Sequence, residues 1–358
     1  MFDYETSTFL LAGPVKMHPR VIKSMLIPSI NHRGDFFKEV IKETEELFKY
    51  FFQTDGKVAI ITGSGTAGVE SAISSLVKDN DTVLSLTNGN FGERMATVSS
   101  LYSKNVIKQS VEWGKPIDLE MMEKTITEKN VNIVTVCHNE TSSGIANPLK
   151  EIMKIAKKYG CYTVVDGITS VGGIEILPDE WGIDLTIVGS QKCLAAPPGI
   201  AAVAVSKNIE NKLNERNIYL SLKKYLKSIE GNDTPWTPSV PLFFAVREAL
   251  RMVKEEGIEQ RIKRTAMLAS ATRDAVKEWN LEILPPLEYA SNTVTAIKYP
   301  ASVDDKWFRE TLLNKYNVVV SGGQGPLKGK IFRIGHMGIT GWQDIEAGLA
   351  AIEGCLGL

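Results

Sequence analysis

The chain turns on the stretch Asp184-Leu185-Thr186-Ile187-Val188-Gly189-Ser190-Gln191-Lys192-Cys193-Leu194-Ala195-Ala196-Pro197-Pro198-Gly199. Its opening run is apolar and β-branched after Asp184 and reads as a buried strand. Gly189 stops the run, one lysine follows, and two prolines with a glycine bar any regular continuation. A single lysine therefore lies at the carboxyl end of a core strand, in a loop with little backbone freedom. An ordinary strand-end lysine points into water. A lysine held in such a loop can also lose its proton and form an imine with a carbonyl, which cofactor chemistry uses. The other strand ends decide between these readings.

Working outward, strands alternate with helices. Lys57–Thr62, Thr82–Thr87, Val106–Val111, Val131–Cys137, Cys161–Asp166, Asp184–Val188 and Ile200–Val205 read as strands. Helical spacing runs through Asp35–Phe52, Gly65–Val77, Phe91–Tyr102, Leu119–Thr127 and Leu149–Lys158. Such alternation predicts a mostly parallel sheet covered on both faces. After Ser206 the pattern changes. Ile209–Tyr225 reads as a charged helix, Thr234–Pro241 as a rigid extended connector, and two helical stretches meet at Gly257. Leu281–Leu358 reads as a smaller α/β unit. The expected division is an arm over 1–18, a large domain over 19–256 and a small domain over 257–358.

Composition excludes several classes. With 358 residues, 43% hydrophobic and 23% charged, the chain is an ordinary globular one. A formal net charge of −1 without runs of one sign gives no reason to expect a nucleic-acid partner. No apolar run reaches the ~18 residues of a membrane span, so no membrane contact is expected. No basic region followed by an apolar one opens the chain, which predicts a cytoplasmic location. Cys137, Cys161, Cys193 and Cys355 are scattered without metal-ligand spacing, so reduced thiols and no metal site are expected.

In an open parallel sheet, ligands bind beyond the carboxyl ends of the strands. There the chain places Gly63-Ser64-Gly65-Thr66-Ala67-Gly68, Asn88-Gly89-Asn90-Phe91-Gly92, His138-Asn139-Glu140-Thr141-Ser142-Ser143-Gly144, Asp166-Gly167 and Ser190-Gln191-Lys192. Gly63–Gly68 fits the spacing of a dinucleotide fingerprint, but the next strand ends at Thr87-Asn88 without the acid that would hold a ribose. A phosphate monoester suits it better, held by the amides of Gly65 and Thr66 and the hydroxyls of Ser64 and Thr66. The plain alternative is an N-capped helix. Asp166, ending a buried strand, needs a cationic or proton-bearing partner, and a ring N–H would serve. Phe91 is either core or a stacking partner for a ring. Together these groups specify pyridoxal 5′-phosphate.

With these residues in place, the chain resembles the class V aminotransferases of fold type I, in the alanine–glyoxylate/serine–pyruvate branch. It is similar in particular to archaeal members described as broad-specificity aspartate aminotransferases. The likeness runs from Leu10-Leu11-Ala12-Gly13-Pro14 to Phe332-Arg333-Ile334-Gly335-His336-Met337-Gly338, and is most specific at Gly189–Leu194 and His138–Gly144. The resemblance implies a seven-stranded, mostly parallel sheet between helices, with a smaller C-terminal α/β domain. It implies Lys192 as the lysine that binds pyridoxal phosphate covalently and Asp166 as the partner of the ring nitrogen. It places Ser64, Gly65, Thr66 and Gln191 at the phosphate, Thr141 near the ring's 3-oxygen, and Phe91 where many relatives stack a Trp. Arg333, at the substrate carboxylate, and Gly13 are implied as substrate-binding. It also implies a homodimer with interfacial sites, in which Thr234 and Thr237 reach the partner's phosphate. The rival for those two threonines is a plain Pro-rich linker.

The implied reaction moves an amino group from alanine, serine or aspartate to glyoxylate, pyruvate or 2-oxoglutarate. Aspartate or phosphoserine as preferred donor needs a second cation, for which Arg33, Arg94 and His336 are candidates. A cysteine desulfurase is disfavoured, because neither Cys193 nor Cys355 lies on a loop well beyond the lysine. A nicotinamide oxidoreductase built on Gly63–Gly68 leaves Lys192 without a role.

Overall fold

The computed structural model describes residues 7–358. Seven strands form the central sheet, in the order Lys57–Thr62, Ile200–Val205, Leu185–Gly189, Tyr162–Asp166, Ile133–Cys137, Thr82–Thr87 and Asn105–Ser110. Ile200–Val205 runs antiparallel to both neighbours, and the other pairings are parallel. This inversion matters for the lysine loop. Leu185–Gly189 and Ile200–Val205 are antiparallel neighbours, with Ala201 opposite Gly189. The segment between them therefore folds back over the sheet's carboxyl edge.

Alternating side chains fill two layers. Val58, Ile60, Val134, Val165 and Val188 face the helices Asp35–Phe52 and Val240–Glu256, where Phe37 meets Phe243 edge-on with ring centroids 5.6 Å apart. Ala59, Ile61, Ile133, Leu185 and Ile187 face the opposite way, with Val69, Ile73, Met95 and Leu226 from the helices Gly65–Leu76, Asn90–Tyr102 and Leu222–Ile229. Each fully buried Val, Leu, Ile or Phe contributes about 1.5–3 kcal/mol, so burial on both faces fixes which strand ends share an edge.

A second, four-stranded sheet has the order Thr8–Leu10, Val318–Gly322, Ile331–Gly335 and Val294–Lys298. Its first strand comes from the opposite end of the chain, with Thr8 paired to Val318 and Leu10 to Val320. Phe308, Leu312 and Ile352 pack against this sheet, where they meet Phe332 of its third strand.

Two expectations need correction. Ile209–Tyr225 is not one helix, because only a short 3-10 turn at Glu210–Lys212 and the helix Leu222–Ile229 form. The Asn214 N–H bonds the Ser75 carbonyl at 2.7 Å, and Ser221 caps the later helix through Lys224 N–H. The extended connector also ends early, since Val240 already starts a helix with Pro241 in its first turn, where its missing N–H costs nothing. Among the described residues no helix is long and apolar enough to cross a membrane.

Candidate active site

The lysine loop is held from several sides. Val15 N–H donates to the Gln191 carbonyl at 3.1 Å, and Ala195 N–H to the Lys192 carbonyl at 2.8 Å. Lys192 Nζ donates to the Ala12 carbonyl at 2.7 Å. Gly13, at φ 99°, leaves the amine its room: a Cβ there would lie 2.3 Å from Lys192 Nζ. The amine's pKa is pushed down to about 8, chiefly by burial. The Cys193 thiol and Asp166 pull it back up, while Arg333 and Arg94 push it further down.

Asp166 closes its strand 3% exposed. Its Oδ1 accepts from Ile168 N–H at 3.0 Å and its Oδ2 from Arg94 Nη2 at 2.7 Å. Arg94 also donates from Nη1 to Thr66 Oγ1 at 3.0 Å, and its guanidinium lies 4.9 Å from the Phe91 ring centroid. One cation thus links the acid to the helix start at Gly65. A buried carboxylate without such a partner would be costly.

The helix Gly65–Leu76 opens without a side-chain cap on Ser64. That departs from a plain N-capped helix and leaves the Ser64 hydroxyl free to serve an anion. The glycines here serve close approach. A Cβ on Gly68 would fall 2.8 Å from Ile187 Cγ2, and one on Gly65 would fall 2.6 Å from Ile168 Cδ1. The helix can therefore press onto the sheet while its N-terminus abuts the segment after Asp166.

A cavity of about 150 Å³ lies at this edge. Ser64, Gly65, Thr66, Phe91, Thr141, Asp166, Gln191 and Lys192 line it, with Arg94, Cys137, Asn139, Ile168 and Thr169. Gln191 Oε1 and Asn139 Oδ1 are buried polar atoms without a protein partner. Such orphaned atoms are few in a folded protein and fit a polar ligand.

Arg333 is 5% exposed and lies just behind the cavity, donating Nη1 to the Thr141 carbonyl at 2.7 Å and Nη2 to the Gly322 carbonyl at 2.6 Å. Burial pushes its pKa down to about 10, opposed by Glu140. Thr234 and Thr237 do not line the cavity. The Thr234 hydroxyl donates to the Trp236 carbonyl at 2.8 Å, and its own carbonyl takes Arg33 Nη1 at 2.6 Å. Arg33 is further occupied by Asp233. His336 is fully buried against Thr295 Oγ1 at 2.8 Å, and burial pushes its pKa down to about 3. Of the three candidate second cations, only Arg94 reaches the cavity, where it faces Asp166.

Glu140 escaped the sequence reading although it stands in a quoted motif. It is fully buried and accepts from the N–H groups of Phe91 and Gly92, both at 2.9 Å, and from Ser142 Oγ at 2.6 Å. A carboxylate at the start of Asn90–Tyr102 suits that helix's positive end and fixes Phe91. Gly89 admits it, since a Cβ there would sit 2.2 Å from Glu140 Cγ. An acid three residues beyond the strand Ile133–Cys137, opposite a glycine-flanked helix start, was the available signal. Asn139 was equally available. It spans Thr169 and Thr293 through Nδ2, at 2.8 Å to each hydroxyl.

Comparison with known proteins bears on the family and the fold. The family Aminotransferase class-V matches residues 21–332. An uncharacterized aminotransferase of Methanocaldococcus jannaschii is 43% identical over 98% of this chain and 93% of its own length. The serine–glyoxylate aminotransferase of Methylorubrum extorquens is 33% identical, covering 95% of this chain and 89% of its own. The crystal structure of pyridoxamine–pyruvate aminotransferase from Mesorhizobium loti superposes with a TM-score of 0.93 at 30% identity, over 98% of this chain and 91% of that one. Sequence and fold agree over nearly the whole length: the chain is a member of the class-V aminotransferases, with their fold type I architecture.

Proposed function

We propose that the strand-end cavity binds pyridoxal 5′-phosphate at Lys192 and transfers amino groups between a small neutral L-amino acid and a short 2-oxo acid. Alanine or serine, with glyoxylate or pyruvate, is the favoured pair. The observation that carries this is the placement of a half-buried, easily neutralised amine, a buried carboxylate and an uncapped helix start around one cavity. The free Ser64 hydroxyl can donate to a phosphorylated ligand, and Gln191, which lines the cavity, carries an amide N–H that can do the same. Ser64, Gly65, Thr66 and Gln191 would hold the phosphate, Asp166 the ring nitrogen, Phe91 a ring face and Thr141 the ring's oxygen side. Arg94 adds a residue to that set. It brings the phosphate cup a cation that the other four lack, while also donating to Asp166.

Bound pyridoxal phosphate supplies an electron sink for the pair left at the substrate's α-carbon. The chain's residues do the rest. Arg333, outside the cavity lining, would offer the substrate carboxylate a planar donor on giving up its bonds to the Thr141 and Gly322 carbonyls. Lys192, with a pKa near 8, is neutral often enough to take the α-proton on Nζ and charged often enough to return it. Gly13 and the Ala12 carbonyl keep that amine at the cavity wall.

Substrate size follows from the cations. Arg33 is held by Asp233 and the Thr234 carbonyl, His336 is kept neutral by burial, and Arg94 is held by Asp166. None of them waits for a side-chain carboxylate. The protein further reads as a cytoplasmic homodimer, in which Thr234 and Thr237, which do not line their own chain's cavity, serve the partner's phosphate. Absorbance of the purified protein mixed with single donors tests the substrate reading. Alanine and serine are expected to bleach the visible band faster than aspartate or phosphoserine. Preference for either acidic donor refutes it.

A further inference from the structure

The loop that carries Lys192 is braced from behind by a buried cation. Arg261, on the helix Ile258–Glu278, is 3% exposed. Its Nη2 donates to the Cys193 carbonyl at 2.6 Å and its Nη1 to Glu256 Oε2 at 2.6 Å. Glu256 is the last residue of the helix Val240–Glu256, and Gly257, at φ 87°, separates the two helices. Glu256 also accepts from Arg264 Nε at 2.7 Å. Arg264 in turn donates to the carbonyls of Thr340 at 2.6 Å and Gly338 at 3.0 Å, just past the strand that carries Arg333. One glutamate and two arginines thus tie the loop behind Lys192 to the loop behind Arg333.

The lysine loop has a conformation that needs such support. Ala195 lies at φ 58°, in the left-handed region. That region is costly for a non-glycine residue and persists where the surroundings dictate it. Arg261 also pays for its position: burial pushes its pKa down against the pull of Glu256. A buried arginine held between the Glu256 carboxylate and a backbone carbonyl next to the reactive lysine is more than packing requires.

We infer that Arg261 is a positioning residue for Lys192, holding the Cys193 carbonyl so that the amine stays in its niche against Ala12 and Gly13. The inference rests on the role proposed above for Lys192. The charged and titratable groups facing that amine are Arg333, Arg94, Asp166 and the Cys193 thiol. Arg261 acts on it through the backbone. With the brace loosened, the amine swings from that niche further into the open cavity and its pKa climbs towards the ordinary lysine value.

The test is the pH dependence of Lys192 acetylation in the full-length protein, after hydroxylamine has removed any bound carbonyl compound. Peptide mass mapping reads the extent of labelling. Arg261→Lys keeps a charge beside Glu256 but cannot span both partners. It is expected to raise the labelling midpoint by about one pH unit, a tenfold loss of neutral amine at neutral pH. Glu256→Gln, which leaves the Cys193 contact in place, is expected to give a smaller shift in the same direction. Thermal melting separates positioning from support alone. A lowered melting temperature with the wild-type midpoint, in whichever of the two variants folds, overturns the inference. If wild-type Lys192 binds no cofactor, the function proposed above fails, while the labelling comparison still decides the role of Arg261.

Discussion

Replacing Lys192 with methionine is predicted to stabilise the cofactor-free protein while abolishing its function. The amine's pKa is pushed down to about 8 in the folded chain, against ~10.4 for a free lysine. At ~1.4 kcal/mol per unit, folding carries a penalty of about 3 kcal/mol for enclosing the charged amine. Below the folded pKa both states hold the proton, and the whole penalty is present. Between the folded and unfolded values the unfolded chain binds more protons, so stability rises with pH and the penalty fades. Methionine removes the penalty but forfeits the hydrogen bond to the Ala12 carbonyl, worth about 1 kcal/mol. Lys192→Met is therefore expected to gain about 2 kcal/mol at neutral pH. The advantage shrinks as pH climbs, and above ~10.4 it reverses slightly. Urea titrations of both cofactor-free proteins at neutral and alkaline pH measure it. A methionine variant no more stable than wild type at neutral pH refutes the reasoning, as does an advantage that ignores pH.

Further outcomes follow from the same geometry. Asp166→Ala should lose cofactor binding and most activity, measured by the visible band and by turnover. Asp79→Ala, which removes a largely exposed partner of Arg216, should keep both. Gly13→Ala puts a methyl 2.3 Å from Lys192 Nζ at a positive φ, and displacing the amine by such a distance should cut kcat by about a hundredfold. Arg94→Gln should weaken cofactor retention on dialysis without changing the order of preference among amino donors, because Arg94 faces Asp166 and Thr66.

Much of the sheet was legible because its strands are short apolar runs ended by glycine or polar clusters. Lys57–Thr62, Thr82–Thr87 and Ile200–Val205 form with the bounds that their composition suggests. Lys192 and Asp166 stood out for a related reason: each is the charged residue at the end of such a run. Pairings across the chain were not legible. Nothing near Thr8–Leu10 shows that it will join Val318–Gly322, since a three-residue strand carries little pattern and its partner is distant in sequence. Arg94 was ambiguous for the same kind of reason. A helix places its side chain, but only the assembled sheet brings Asp166 within 2.7 Å. Glu140 stayed silent because a buried acid is exceptional and its partners are backbone N–H groups, which sequence does not display. The region after Ser206 was misread because charged residues at helical spacing do not reveal that Asn214 and Ser221 are engaged by Ser75 and Lys224.

The central claim is that Lys192 holds the cofactor. Borohydride reduction of the purified protein, followed by proteolysis and mass spectrometry of the peptides, tests it directly. A single pyridoxyl-phosphate adduct on the peptide containing Lys192, absent after prior incubation with excess alanine, is the predicted result. An adduct on another lysine, or none in a protein with transaminase activity, contradicts it.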